Sequence, residues 1–210
     1  MSDDALQRPH IWEPGSGSPP LLLLHGTGGD EHDLLVLREH LAPDAPVLSP
    51  RGTVTEHGMA RFFRRVREGV FDEDDLRHQT DELAAFLTAA EQKYGVAAGS
   101  WLAVGFSNGA NMASALLLRH PESLAGAVLL AAMVPFQDDE PQDQALAGKP
   151  VLIVNGNRDP MATPEQTSRL TEQLRRRDAE VELLSFDGGH TIHGDQLPAI
   201  KEFIETHTSH

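Results

Sequence analysis

The chain has 210 residues, with 40% hydrophobic and 23% charged, which suits one soluble globular domain with a large core. A formal net charge of −15 argues against nucleic acid and anionic membrane surfaces as partners, since both are polyanions. Cysteine is absent, which removes disulfides, thiolate metal sites and a cysteine nucleophile; the eleven histidines are scattered without ligand spacing, so neither a metal nor another cofactor is expected.

The first twenty residues hold a short edge strand near residues 10–13 and then a link rich in Pro, Gly and Ser. Met1-Ser2-Asp3-Asp4 lacks the positive region and apolar core of a signal peptide, so cytoplasmic residence is expected. Leu21-Leu22-Leu23-Leu24 is continuously apolar, as in a parallel strand covered on both faces, and it runs into the Gly-rich loop His25-Gly26-Thr27-Gly28-Gly29. Leu34, Leu37 and Leu41 recur at helical spacing, which predicts a helix over residues 31–41, and residues 47–49 read as a short strand. Residues 50–75 carry Met59, Phe62, Phe63 and Phe71 among arginines and read as a long excursion of functional interest. A helix over residues 75–94, stopped by Gly95, follows.

Residues 101–104 form an apolar strand and residues 108–119 an amphipathic helix, joined through Gly105-Phe106-Ser107-Asn108-Gly109. One serine between two glycines at a strand-to-helix turn has the form of a nucleophile elbow, in which small residues let strand and helix close on each other. Beyond it the spacing predicts a strand at residues 124–132, an acidic loop over residues 135–148 and a strand at residues 149–155. A helix opening at Thr163-Pro164 to about Arg177, a strand at residues 181–186 and a last helix over residues 195–204 complete the chain. Strands alternating with helices indicate an α/β fold: a mostly parallel sheet of about seven strands with helices on both faces and no large lid domain.

A serine hydroxyl is a poor nucleophile, so the elbow has meaning only if a base, an orienting carboxylate and oxyanion donors gather around it. Asp159 and His190 each follow a strand, on the side where ligands bind in open α/β sheets, which gives the chain order Ser107, Asp159, His190. Asp187 is a rival acid but is expected to bond local backbone in its tight turn. The backbone N–H groups of Thr27 and Asn108 are the expected oxyanion donors, and His25 is expected to tie down its loop. Arg51, Phe62, Phe63, Phe71, Met133 and Met161 are candidates for the substrate pocket, with Arg61 a further cation that could meet an anionic group.

The motifs Leu22-Leu23-Leu24-His25-Gly26-Thr27-Gly28-Gly29-Asp30, Ser49-Pro50-Arg51-Gly52, Arg61-Phe62-Phe63, Gly105-Phe106-Ser107-Asn108-Gly109-Ala110, Arg158-Asp159-Pro160 and Gly188-Gly189-His190 together resemble the phospholipase/carboxylesterase-type serine hydrolases of the α/β-hydrolase superfamily. The resemblance spans nearly the whole chain. It implies esterase activity on small carboxylic esters or thioesters, no metal, cytoplasmic residence and often a homodimer. Thioesterases and carboxylesterases of that family usually carry Gln-Gly-Gly after the serine, whereas this chain has Asn108-Gly109-Ala110, which places it nearer the hydroquinone-associated bacterial branch. Carboxylesterase action on a small-molecule ester is therefore the expected function. An acyl-thioesterase or lysophospholipase on the same triad is the nearest alternative, and a non-catalytic small-ligand receptor with this fold is the alternative of another class.

Overall fold

The structure, a computed structural model, describes residues 6–138 and 145–208. Its elements in chain order are β1 (His10–Glu13), β2 (Leu21–Leu24), α1 (Leu35–Leu41), β3 (Val47–Pro50), β4 (Val54–Glu56), β5 (Met59–Arg61), β6 (Arg65–Arg67), β7 (Val70–Phe71), α2 (Glu73–Tyr94), β8 (Trp101–Phe106), α3 (Asn108–Arg119), β9 (Leu124–Leu130), β10 (Pro150–Gly156), α4 (Pro164–Arg175), β11 (Glu180–Phe186) and α5 (Leu197–Thr208). Seven strands make one sheet in the order β1-β3-β2-β8-β9-β10-β11. Only β1 runs antiparallel; the other six are parallel, each joined to the next by a crossover.

The apolar runs are explained by what covers them. Leu22, Leu24, Ala103, Ala127, Leu129, Val151 and Ile153 point to the face carrying α2, α3 and α4. The alternate residues Leu21, Leu23, Leu102, Val104, Val128, Leu130, Leu152 and Val154 point to the face carrying α1 and α5. With both faces buried there is no polar half to alternate with, so the strands read as unbroken hydrophobic sequence.

Local chemistry shifts several boundaries from those expected. The helix predicted from residue 31 starts at Leu35, because Asp30 Oδ1 accepts the N–H of His32 at 2.8 Å and holds residues 31–34 in turns. α2 starts earlier than predicted, with Asp72 accepting the N–H of Asp75, and it ends as expected in left-handed Gly95 at φ 69°. The long excursion expected over residues 50–75 contains two hairpins, β4–β5 and β6–β7, and runs into α2 at Glu73. The first turns through His57 and Gly58, both at positive φ, the backbone such two-residue turns require. Thr163 caps α4 as predicted, and Gly194–Gln196 forms a 3-10 turn ahead of α5, which starts two residues later than expected. Part of the acidic loop expected over residues 135–148, residues 139–144, lies outside the described residues, as do Met1 to Asp4. Among the described residues no helix is long and apolar enough to cross a membrane.

The closest packing lies where α3 meets the strands. A Cβ on Gly109 would overlap the carbonyl oxygens of Leu24 and His25, and one on Gly105 would overlap the Gly109 carbonyl. Gly109→Ala should therefore destabilise the fold by about 2–4 kcal/mol in urea unfolding, because rigid backbone must move. Gly194, with open space around it, should tolerate alanine within about 0.5 kcal/mol.

Candidate active site

Register brings the relevant strand ends to one edge. Leu24 pairs with Gly105, Gly105 with Leu129, Leu130 with Val154 and Gly156 with Phe186. The loops after β2, β8, β10 and β11 therefore leave the sheet side by side, and they carry Thr27, Ser107, Asp159 and His190.

Ser107 is the residue between β8 and α3, at φ 52° and ψ −111°, a backbone region that costs a non-glycine residue about 1–3 kcal/mol. Its N–H donates to the Leu130 carbonyl at 2.8 Å, and its carbonyl accepts the Asn111 N–H at 2.9 Å, so both sides of the turn are fixed. Its hydroxyl oxygen lies 2.7 Å from His190 Nε2. His190 Nδ1 lies 2.7 Å from Asp159 Oδ2, and the Asp159 side chain is fully buried. Asp159 Oδ1 accepts the N–H groups of Met161 at 2.8 Å and Ala162 at 2.9 Å, so the carboxylate cannot swing away from the ring. With Nδ1–H donating to Asp159, Nε2 is left as an acceptor for the serine proton.

The loops bearing Asp159 and His190 are joined directly. Asn157 donates to the Phe186 carbonyl and Arg158 to the Gly188 carbonyl, each at 2.9 Å, and a side chain at Gly156 would overlap the Gly188 carbonyl. Asp187 points elsewhere: it is exposed and pairs with Arg158 Nε at 3.0 Å, so the expected bond to local backbone is replaced by an ion pair.

The loop after β2 is held from below and from the side. His25 is buried; its Nε2 accepts the Gly52 N–H at 2.9 Å, and its Nδ1 donates to the Gly26 carbonyl at 2.6 Å. Burial pushes this imidazole below its ordinary value, against the opposing pull of the Gly26 carbonyl and of Asp33, Asp30 and Glu31. Thr27 is exposed, and its hydroxyl accepts from Arg61 Nη1 at 2.7 Å. Asn108 is buried at the first position of α3, where its N–H has no intrahelical acceptor, and its Oδ1 accepts the Phe62 N–H at 2.7 Å. An N–H without an intrahelical acceptor, directly after a serine, is free to stabilise negative charge developing on a carbonyl oxygen.

The pocket candidates divide. Phe62 and Phe63 are completely buried and do not line a surface pocket: Phe62 packs on the His25 ring and Phe63 meets Phe71 edge-on, which makes them the apolar floor under the hairpins. Met133 is buried, its N–H held by Asn111 Oδ1 at 2.8 Å, while Phe71 and Met161 are partly exposed. Arg51 is engaged by Glu31 through two hydrogen bonds, one of 2.7 Å, and this pairing holds the Glu31 carboxyl below the usual range. Two further supports hold these loops: Asn155, which the sequence does not single out, clamps Ala132 through both the Ala132 N–H and carbonyl, and Arg61, expected as a cation for an anionic group, instead donates to the Thr27 hydroxyl.

Similarity to known proteins agrees with this fold. A sequence model of the family described as Phospholipase/Carboxylesterase matches residues 15–208. The chain is 44% identical over 196 residues, 93% of its own length and 97% of the relative's, to the putative hydrolase MhqD of Bacillus subtilis. The crystal structure of the Bacillus cereus carboxylesterase superposes with a TM-score of 0.92 at 40% identity, covering 96% of this chain and 95% of that one. A carboxylesterase from Mesorhizobium loti superposes with a TM-score of 0.89 at 29% identity, covering 98% and 97%. The chain has the α/β-hydrolase fold and belongs to the phospholipase/carboxylesterase family. It is a carboxylic ester hydrolase.

The buried His25 carries a pH signature. A lowered folded pKa means that the unfolded chain binds the proton more readily, so stability falls as pH drops below the ordinary imidazole value of 6.5 and levels off below the folded value. His25→Gln, whose amide oxygen can accept the Gly52 N–H, should remove that share of the slope in urea midpoints measured from about pH 5 to about pH 8.

Proposed function

We propose that the protein hydrolyses small carboxylic esters through a Ser107–His190–Asp159 triad and an acyl-enzyme intermediate. The observation that carries this is the continuous pair of 2.7 Å contacts from the Ser107 hydroxyl through His190 to a buried, doubly anchored Asp159. Ser107 Oγ attacks the ester carbonyl carbon while His190 Nε2 takes its proton; Asp159 holds the ring tautomer and balances the imidazolium. The N–H groups of Thr27 and Asn108 receive the oxyanion. Collapse breaks the bond to the alcohol, which leaves with the proton from His190, and water activated by the same base then releases the acid and restores Ser107.

No cofactor enters this scheme, and the chain acts as one domain in the cytoplasm. Met161 and Phe71, partly exposed, remain candidates for contact with the apolar part of the ester. Arg51 is not free to bind an anion without giving up Glu31.

The scheme is tested by substitution. Ser107→Ala should lower kcat on short p-nitrophenyl esters by at least about 10³-fold and abolish labelling by a fluorophosphonate. Asp159→Asn should cost on the order of 10⁴-fold in kcat with little change in KM, because the wrong tautomer is then favoured. Equal turnover by the native protein and Ser107→Ala would refute the mechanism.

A further inference from the structure

Arg61 is 4% exposed, an unusual place for a guanidinium, and its counter-ion is shared. Glu56 Oε2 lies 3.8 Å from Arg61 Nε but 2.8 Å from Arg65 Nε. Burial pushes the Arg61 guanidinium below its usual value, with Glu56 pulling the other way. A cation taken out of water with half a partner weakens a fold unless its hydrogen bonds are used for something else.

Those hydrogen bonds lead to the loop after β2. Nη1 donates to the Thr27 hydroxyl at 2.7 Å and Nε to the Phe63 carbonyl at 3.1 Å. The neighbours of Arg61 act on the same place. The Ala60 carbonyl accepts the Gly28 N–H at 2.9 Å, and the Phe62 N–H donates to Asn108 Oδ1 at 2.7 Å. Three consecutive residues thus grip both residues whose N–H groups face the reacting carbonyl in the mechanism above: Ala60 and Arg61 hold the Thr27–Gly28 side, and Phe62 holds Asn108. Gly52, whose replacement would overlap the Arg61 carbonyl, locks this segment against the His25 loop.

We infer that Arg61 is a positioning residue, which fixes Thr27 through its hydroxyl so that the Thr27 and Asn108 N–H groups stay at the spacing an oxyanion requires. The inference rests on the oxyanion role proposed for those two residues. A group that acts only on the developing oxyanion alters kcat and leaves ground-state binding nearly untouched.

The test is a double-mutant cycle on the full chain with p-nitrophenyl acetate, using Arg61→Met, Thr27→Val and the double variant. Thr27→Val keeps the backbone N–H and removes only the hydroxyl acceptor at an exposed position. Arg61→Met should lower kcat roughly 10- to 100-fold, with KM within about twofold, and Thr27→Val should lower kcat several-fold. The double variant should be no worse than Arg61→Met alone. Fully additive losses, or a kcat for Arg61→Met within about twofold of the native value, would overturn the inference. Where Arg61→Met does not accumulate as folded protein, Thr27→Val alone decides, and an unchanged kcat refutes the positioning role. Native protein that is not labelled by a fluorophosphonate at Ser107 would overturn the catalytic scheme, and the positioning role with it. A labelled native protein with an indifferent Arg61 overturns this inference alone.

Discussion

The contact on which the site depends is the approach of α3 to the ends of β2 and β8. Gly105 and Gly109 have no side chains, so the helix starts against the carbonyls of Leu24 and His25, and the single residue left to turn the corner is Ser107 at φ 52°. That geometry points the serine side chain away from the strand and toward His190. It also leaves the N–H of Asn108 at a helix start, where donors lack intrahelical partners. The strain at Ser107 is held by bonds on both sides, to Leu130 and from Asn111, within a helix buried along nearly its whole length.

Around this corner the protein arranges supports in a ring. Asp159 is set by two backbone donors and His190 by the stitched loops after β10 and β11. On the other side, the β4–β5 hairpin and its continuation to Phe62 fasten the loop after β2 and the Asn108 side chain. The segment that looks most irregular in sequence therefore does positional work, and its phenylalanines form the floor that lets it do so.

The sheet was legible in sequence because parallel strands buried on both faces leave four to seven apolar residues in a row, as at residues 21–24 and 151–154. Ser107 and Asp159 stand out because each follows such a strand, whereas His190 follows β11, an edge strand whose apolar and polar residues alternate, and stands out by its Gly188-Gly189 turn. Residues 50–75 were not, since the hairpins there are two or three residues long and are held by turn glycines and by bonds to distant loops. Pocket candidates chosen for being apolar failed at Phe62 and Phe63 for a related reason: hydrophobicity marks a buried side chain equally well whether it meets a ligand or the protein's own core. The arginine at position 61 gave no local sign of its partner, because Thr27 lies 34 residues away in the chain.

The central claim is that Ser107 carries an acyl group during turnover. It is tested most directly by rapid-mixing hydrolysis of a p-nitrophenyl ester, with the quenched protein analysed by mass spectrometry. A burst of about one nitrophenolate per chain and an added acyl mass on the peptide containing Ser107 are expected. Steady turnover with no burst and no acylated Ser107, at a substrate whose deacylation is the slow step, would contradict it.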